Sequence, residues 1–374
     1  MDFTIGEDER ALREGLASVL GGTRARYGDA PEAELLREVA AGGWLGLALG
    51  DPEDPHASSG FRLAYLSEEI GAQRYPVPLT LLTALVIPFL AQAPSGKPLP
   101  SVRAAIDGEV IATIVLPDGG APFASRWTEV AIVSEEPSGA HVRGVAHGVI
   151  GADYADLILL PLERPDGTLS VAAVSPGDDI VRATDDDTLD LTGRSRTIEI
   201  DGWLDASRFA GGMSHDHRPA LERLIAGYCL ALDGESVGAA SALLKRTVTF
   251  TSNRRQFGVP VGSFQAIKHQ LADCFARIEL ARSMLYRIAT EMDSREELSA
   301  QDVAYSRMAT ADMYRLVAGR CIQCHGAIGV TWEEGLHIFY RQALLYGQHP
   351  FKRFELRDAV WTRPVALVAA GAHD

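Results

Sequence analysis

Three long stretches of the chain, 218–252, 262–292 and 299–324, keep apolar residues at spacings of three and four, and this periodicity constrains the fold more than any other feature. Helices of that length gain their stability by burying a face against one another, so this part of the chain is expected to form a bundle. Phe264, Ile267, Leu271, Phe275 and Ile278 mark one continuous apolar face, which the spacing predicts to be core.

Upstream the pattern changes twice. Residues 1–95 read as a helical domain with helices over 7–20, 32–41, 61–72 and 79–91, separated by clusters such as Asp51-Pro52-Glu53-Asp54-Pro55. Leu63, Leu66 and Ile70 form a stripe toward a core and leave Ser67 and Glu68 on the other side. Residues 96–205 break into short β-rich runs, 110–115, 130–133, 141–145, 157–160, 170–174 and 197–200, as a barrel or sandwich would require. Asp118-Gly119-Gly120, Pro165-Asp166-Gly167 and Pro176-Gly177-Asp178-Asp179 supply turns, and Asp185-Asp186-Asp187 reads as a solvated loop. Residues 206–374 complete an α+β chain of three domains: N-terminal helical, middle β-barrel or sandwich, and a C-terminal four-helix bundle.

A length of 374 residues exceeds what one ordinary core holds, and 47% apolar with 23% charged residues is the balance of a globular enzyme and excludes general disorder. The net charge of −15 argues against nonspecific nucleic-acid binding, so an anionic ligand needs a local basic site, for which Arg254, Arg255 and Lys268 are candidates. No apolar run is long enough to span a membrane, and Met1-Asp2-Phe3-Thr4 lacks the start of an export signal, so a cytoplasmic protein is expected. Cys229, Cys274, Cys321 and Cys324 fall within helical pattern and read as reduced, packed thiols. Cys321-Ile322-Gln323-Cys324-His325 fits the C-x-x-C-H form of haem attachment. Without an export signal, a second cysteine pair or a thioredoxin-like context, haem, zinc and redox roles are rejected.

The turn Arg254-Arg255-Gln256-Phe257-Gly258 carries the strongest chemical signal, because clustered guanidinium groups beside an aromatic ring suit a dinucleotide's phosphates and flat ring systems. It is followed by Phe264-Gln265-Ala266-Ile267-Lys268-His269 and then by Gln323-Cys324-His325-Gly326-Ala327-Ile328-Gly329. In that order the segments resemble the flavin site of the acyl-CoA dehydrogenases, and the resemblance is closest to actinobacterial members that form heteromeric complexes. Leu189-Asp190-Leu191-Thr192 through Ile200-Asp201-Gly202 is similar to the family's exit from its β-domain.

The resemblance implies an FAD-dependent enzyme that introduces an α,β double bond into an acyl-CoA and passes electrons to an electron-transfer flavoprotein. Arg254, Gln256 and Phe257 would then hold the pyrophosphate and neighbouring parts of FAD, with Gln265 beside them. Gln323, Gly326 and Ala327 would reach the adenosine portion of an FAD held mainly by another subunit, so a homo- or hetero-oligomer, a tetramer by the family's habit, is implied.

Two departures accompany the resemblance. The loop that commonly carries the catalytic Glu reads Tyr346-Gly347-Gln348-His349-Pro350-Phe351, with Pro350 where the base would be. Other members place the base on the first long bundle helix, where this chain has Glu235 among Ala231, Gly234 and Gly238, and Tyr228 two turns earlier at a further base position. Glu235 is the expected base, His349 a weaker candidate, and the small residues around Glu235 would make room for a ligand such as a branched or polycyclic acyl chain. In the β-domain, Ala112 to Gly120 and Val145 to Ile150 match the family's ring-facing motifs poorly. A catalytically silent subunit that completes a partner's site is the alternative reading.

Overall fold

The protein is described here by a computed structural model covering residues 5–24, 32–46, 49, 60–74, 78–94, 98–127, 129–189, 195–294 and 299–361. The expected turn Asp51-Pro52-Glu53-Asp54-Pro55, the start Met1-Asp2-Phe3-Thr4 and the stretch Asp190-Leu191-Thr192 lie outside these residues.

Helices come first: α1 (Glu7–Arg24), α2 (Glu32–Ala41) and α3 (Gly60–Gln73), then α4 (Leu79–Leu81), which runs through a π turn (Leu82–Val86) into α5 (Ile87–Gln92), and finally α6 (Val102–Ile106). Glu7, Asp8 and Glu9 in the first turn of α1 complement its dipole. Ser101 caps α6 by accepting the Ala104 amide.

Seven strands follow: β1 (Ala112–Ile114), β2 (Val130–Glu136), β3 (Gly139–Ile150), β4 (Leu157–Glu163), β5 (Leu169–Val174), β6 (Val181–Asp185) and β7 (Ser195–Asp205). They form two sheets, β1-β4-β5 and β2-β3-β7-β6, in which every pairing is antiparallel except β1 with β4. The side chains of β5 are all buried because its two faces serve different cores. Ala172 and Val174 join Val142, Ile198 and Ile200 between the sheets, while Leu169, Val171 and Ala173 join the helical core. A strand buried on both faces reads as a continuous apolar run, and that run fastens the sheets to the helices. Asp185, expected in a loop, ends β6 and pairs with Arg196 at 2.7 Å.

The remaining helices are α7 (Arg218–Asn253), α8 (Gln265–Ser294), α9 (Ala300–His325), α10 (Leu336–Tyr346) and α11 (Arg353–Trp361), with a hairpin of β8 (Arg255–Gln256) and β9 (Val259–Pro260) after α7. α7 is 36 residues long, so it extends roughly 54 Å. Arg218 at its start holds the β-region, donating to Glu163, the Gly167 carbonyl and the Ser125 carbonyl.

Two expectations about the core are corrected. Ser67 and Glu68 are buried, because α3 packs on both sides: its leucines face α1 and α2 while α7 and α8 lie across it. The Glu68 carboxylate is satisfied there by Tyr286 at 2.6 Å, by Arg282 at 3.0 Å and by Arg13 at 3.7 Å. On α8 the predicted stripe is split, with Ile278 buried while Phe264 and Phe275 are exposed. Among the described residues these outer side chains stay exposed, Phe264 meeting the edge of Phe257.

α3 and α7 meet backbone to backbone. A Cβ added to Gly238 would lie 1.8 Å from the Glu68 carbonyl oxygen, one on Gly234 would lie 2.6 Å from that of Ala64, and one on Gly71 would lie 2.1 Å from that of Glu235. The small residues of α7 are therefore taken up by α3, and the expected room for a ligand is filled by a helix. Gly238→Ala should cost about 3 kcal/mol or more in urea unfolding, since the clash is with backbone and neither helix can yield locally. Gly21→Ala, at an α1 position with open space, should be neutral or gain up to about 1 kcal/mol.

Candidate active site

The motif residues gather at the far end of the bundle from the sheets. Arg254 ends α7, and the hairpin turns at Phe257 (φ 53°) and Gly258 (φ 82°), the left-handed pair that a two-residue hairpin with matching twist requires. Gly258 adopts it freely, whereas Phe257 is strained and its ring is 92% exposed, touching only the edge of Phe264 at 6.3 Å. Arg254, Arg255, Gln256, Gln265 and Lys268 are all exposed beside it, and among the described residues no carboxylate pairs with Arg254.

Gln323, Gly326 and Ala327 are exposed at the end of α9, where Gly326 leaves the helix with φ 65°. The His325 ring stacks on Phe250 of α7 at 4.2 Å, which brings this turn alongside the last turn of α7 and hence beside the hairpin. Gly329 packs so closely on Ile322 that a Cβ would lie 2.5 Å from its carbonyl oxygen. Unpaired guanidinium groups, an exposed ring and an open glycine turn together form a cradle suited to the phosphates and adenosine of a dinucleotide.

The base positions lie in the interior. Tyr228 is buried, and its hydroxyl shares a 2.9 Å hydrogen bond with Nε2 of His349, so the two alternative base positions meet in space. Both groups are neutral at ordinary pH: burial, with the Glu235 carboxylate, pushes the Tyr228 phenol well up, and burial with the Arg307 guanidinium pushes His349 down to about 3. Glu235 is buried, and its carboxylate accepts hydrogen bonds from the hydroxyls of Thr80 and Tyr346. Pro350 follows His349 through a cis bond.

Sequence reasoning missed what holds this loop. Arg307 is fully buried on α9 and donates to Asp233 at 2.6 Å, to the Tyr346 carbonyl, and to the His349 carbonyl at 3.3 Å. Ser306 also donates to Asp233, at 2.7 Å, and Thr310 completes the set. A charged residue among Val303, Ala304, Ala311 and Tyr314 was the available signal, because a buried position there demands a counter-charge.

A third feature lies at the opposite end of α7. The turn after β1 forms one wall of an open groove of about 640 Å³, with Gly120 to Ala124 facing Phe354, Asp358 and Ala359 of α11. Glu355 ties the wall down, accepting from the Gly120 amide at 3.1 Å and from Arg126 at 3.3 Å. This is the segment in which the family's ring-facing motif was matched poorly.

The cysteines are all free and buried. Burial raises all four thiols, Cys321 to about 12, and His325 is engaged by Phe250 and by the Cys321 carbonyl at 2.8 Å. Thiols held protonated in this way are poor nucleophiles and poor metal ligands.

The depressed His349 gives a pH signature. The folded state binds this proton less readily than the unfolded chain, so the contribution is fully present above the unfolded value of about 6.5 and is lost as pH falls toward 3. Stability should drop by about 2 kcal/mol between pH 7 and pH 5 from this group, and chemical denaturation of His349→Gln should show a correspondingly flatter profile. His217, also lowered by burial, gives a shift of the same sign that both proteins share.

The family model for the acyl-CoA dehydrogenase C-terminal domain matches residues 230–347, from the middle of α7 to the loop that Arg307 holds. Acyl-CoA dehydrogenase IpdE2 of Mycobacterium tuberculosis is 28% identical over 280 residues, covering 68% of this chain and 84% of its own. Among solved structures, the ChsE4-ChsE5 complex of M. tuberculosis matches with a TM-score of 0.78 at 24% identity over 100% of both chains. A variant of the Tcur3481-Tcur3483 steroid ACAD matches with a TM-score of 0.80 at 22% identity over 99% of each chain. The family model over 230–347, the curated relatives and the shared fold together support an acyl-CoA dehydrogenase family member, with the Arg254 and Gln323 segments side by side at the bundle end.

Proposed function

We propose that this chain is a subunit of a hetero-oligomeric, FAD-dependent acyl-CoA dehydrogenase, in which it holds the phosphate and adenosine end of the flavin and another chain supplies the α-proton base. The observation that carries this reading is the Tyr228–His349 pair, because both alternative base positions are filled by groups that stay neutral and are hydrogen-bonded to each other. A general base needs a pKa near the working pH and access to the proton it removes. Neither group meets both conditions.

The distance along α7 points the same way. The cradle at Arg254 and the groove at Gly120 lie at opposite ends of a helix of roughly 54 Å, beyond the reach of one dinucleotide, so a site that used both would join residues from two chains. Arg254 would pair with the pyrophosphate, Gln256, Gln265 and Phe257 would border it, and Gln323, Gly326 and Ala327 would meet the adenosine. Bound FAD would take up the hydride released from the acyl β-carbon, and its electrons would pass on to an electron-transfer flavoprotein. The names of two structural neighbours each join two chain designations, ChsE4 with ChsE5 and Tcur3481 with Tcur3483, which is in keeping with a heteromer. The word steroid in one name makes a bulky acyl group a reasonable first substrate to test.

A second reading makes Glu235 the base of a chain that is active alone. It is favoured by a carboxylate buried at mid-helix in the bundle, where it accepts from the hydroxyls of Thr80 and Tyr346. The chain should be purified alone and co-expressed with a second acyl-CoA dehydrogenase-like chain, then assayed with several acyl-CoAs and an artificial electron acceptor. Flavin and turnover are expected only in the two-chain complex, with Arg254→Gln lowering its flavin content and Glu235→Gln leaving its turnover within about two-fold. Turnover by the chain alone that disappears in Glu235→Gln would establish the second reading instead.

A further inference from the structure

We propose that Glu355 is a positioning residue that fixes the wall of the groove at Gly120 to the loop carrying His349, so that the two segments hold one geometry together. Glu355 is the third residue of α11 and is 7% exposed. Its Oε2 accepts from the Lys352 amide at 3.0 Å, the reach back to the residue before the helix that caps a helix start. Its Oε1 leaves the helix and accepts from the Gly120 amide at 3.1 Å and from Nη2 of Arg126 at 3.3 Å. Capping needs only the first of these contacts, so the second pair marks a further role.

The β-region is shaped to receive this carboxylate. A Cβ on Gly119 would lie 2.6 Å from Oε1 of Glu355 and 2.4 Å from Nη2 of Arg126, so glycine is what leaves room for both groups. The loop is closed at its base, where the Asp118 amide donates to the Arg126 carbonyl and the Arg126 amide to the Gly119 carbonyl, each at 2.9 Å. Arg218 of α7 holds the Ser125 carbonyl at 3.1 Å. Near the tip Phe123 has φ 65°, a strained conformation for a residue with a side chain, which persists where its surroundings over-determine it.

On the bundle side the tie continues toward His349. Pro350 and the buried Phe351 alone separate Lys352 from His349, whose carbonyl accepts from Arg307 at 3.3 Å and whose ring bonds to Tyr228 at 2.9 Å. A short segment pinned at both ends, with a packed ring between them, shifts as a unit, so a displacement of the wall is passed on to His349. The groove of about 640 Å³ is bounded by that wall and by Phe354, Asp358 and Ala359 of the helix that Glu355 starts, so this one carboxylate sets the spacing of its two sides. The coupling stands on these contacts alone, whereas its use in holding a ligand of a two-chain site rests on the function proposed above.

Gly119→Ala separates this role from folding, because its methyl group meets only the ends of two flexible side chains and yet moves the carboxylate. Glu355→Asp is the counterpart on α11, a shorter side chain that still caps the helix and no longer spans to Gly120. Hydrogen exchange of the full chain in its purified oligomeric state should be at least about ten-fold faster in both variants over 118–126 and, together with it, over 347–352. Thermal midpoints and exchange in the middle of α7 should stay near those of the wild type. In a two-chain complex that turns over, the KM for acyl-CoA should rise more than kcat falls, whereas a simple loss of folded protein lowers apparent kcat and leaves KM alone. Faster exchange confined to 118–126 in Gly119→Ala, no change in either segment, or an unmoved KM in an active complex would overturn the proposal. A complex without flavin or turnover would count against the proposed function and leave the exchange result to decide this one.

Discussion

Direct backbone contact between α3 and α7 is the constraint on which the rest of the molecule is arranged. Gly71, Gly234 and Gly238 let the two helices approach until carbonyl oxygens occupy the space a methyl group would need. At that separation the side chains flanking the crossing have nowhere to go but inward, so polar ones must find partners there. Glu68 on α3 takes Arg13, Arg282 and Tyr286 from α1 and α8, and Glu235 on α7 takes Thr80 and Tyr346 from α4 and α10. One tight crossing thus recruits four other helices through two carboxylates. The Asp233–Arg307 pair extends the same logic to α9 and to the carbonyls of the loop after α10. Buried pairs of this kind are weak sources of net stability but are costly to break on one side, so they serve to fix which helix lies where.

That arrangement bears directly on chemistry. A glutamate that closes a helix junction by accepting from two hydroxyls is buried and engaged on both oxygens, as a side chain that fixes helix positions is. The loop where relatives commonly carry a carboxylate is held through its backbone by Arg307, while its side chain at His349 is occupied by Tyr228. The bundle end shows the opposite balance, with strain at Phe257 and unpaired cations maintained at the surface where no core demands them. Exposed strained residues persist where a contact outside the chain repays them.

Much of this was readable in the sequence, and the parts that were not share a cause. The long helices and most of the strands emerged from period alone, and even the largely buried β4 and β5 were found as short apolar runs. The Arg254 and Gln323 segments were legible as a pair because turn glycines and cations mark surface sites locally. What periodicity could not convey is which of two faces meets another element. Ser67 and Glu68 looked solvent-facing because a helix packed on both sides has no polar face to reveal it, and Phe275 looked buried because an apolar row reads alike whether its partner is in the same chain or another. The glycines near Glu235 likewise permit a close neighbour without saying whether it is a ligand or a helix. Strand β6, mostly exposed, carried too few apolar residues to be seen.

The divided character of the chain follows from these same physics. A site built on one continuous helix inherits that helix's length, and α7 separates the cradle at Arg254 from the groove at Gly120 by nearly its whole extent. Bending cannot close the gap, because the middle of α7 is locked to α3 by glycine contacts and to α9 by a buried ion pair. For both ends to serve one ligand a second chain would have to lie alongside, and Phe275 and Leu280 on α8, with Phe264 just before it, are exposed apolar side chains that such a neighbour could cover. Once two chains share each site, the residues that hold the ligand and those that remove a proton are no longer obliged to belong to the same polypeptide. One chain can then carry a cradle for the ligand while its neighbour carries the base, which is the division proposed for this assembly.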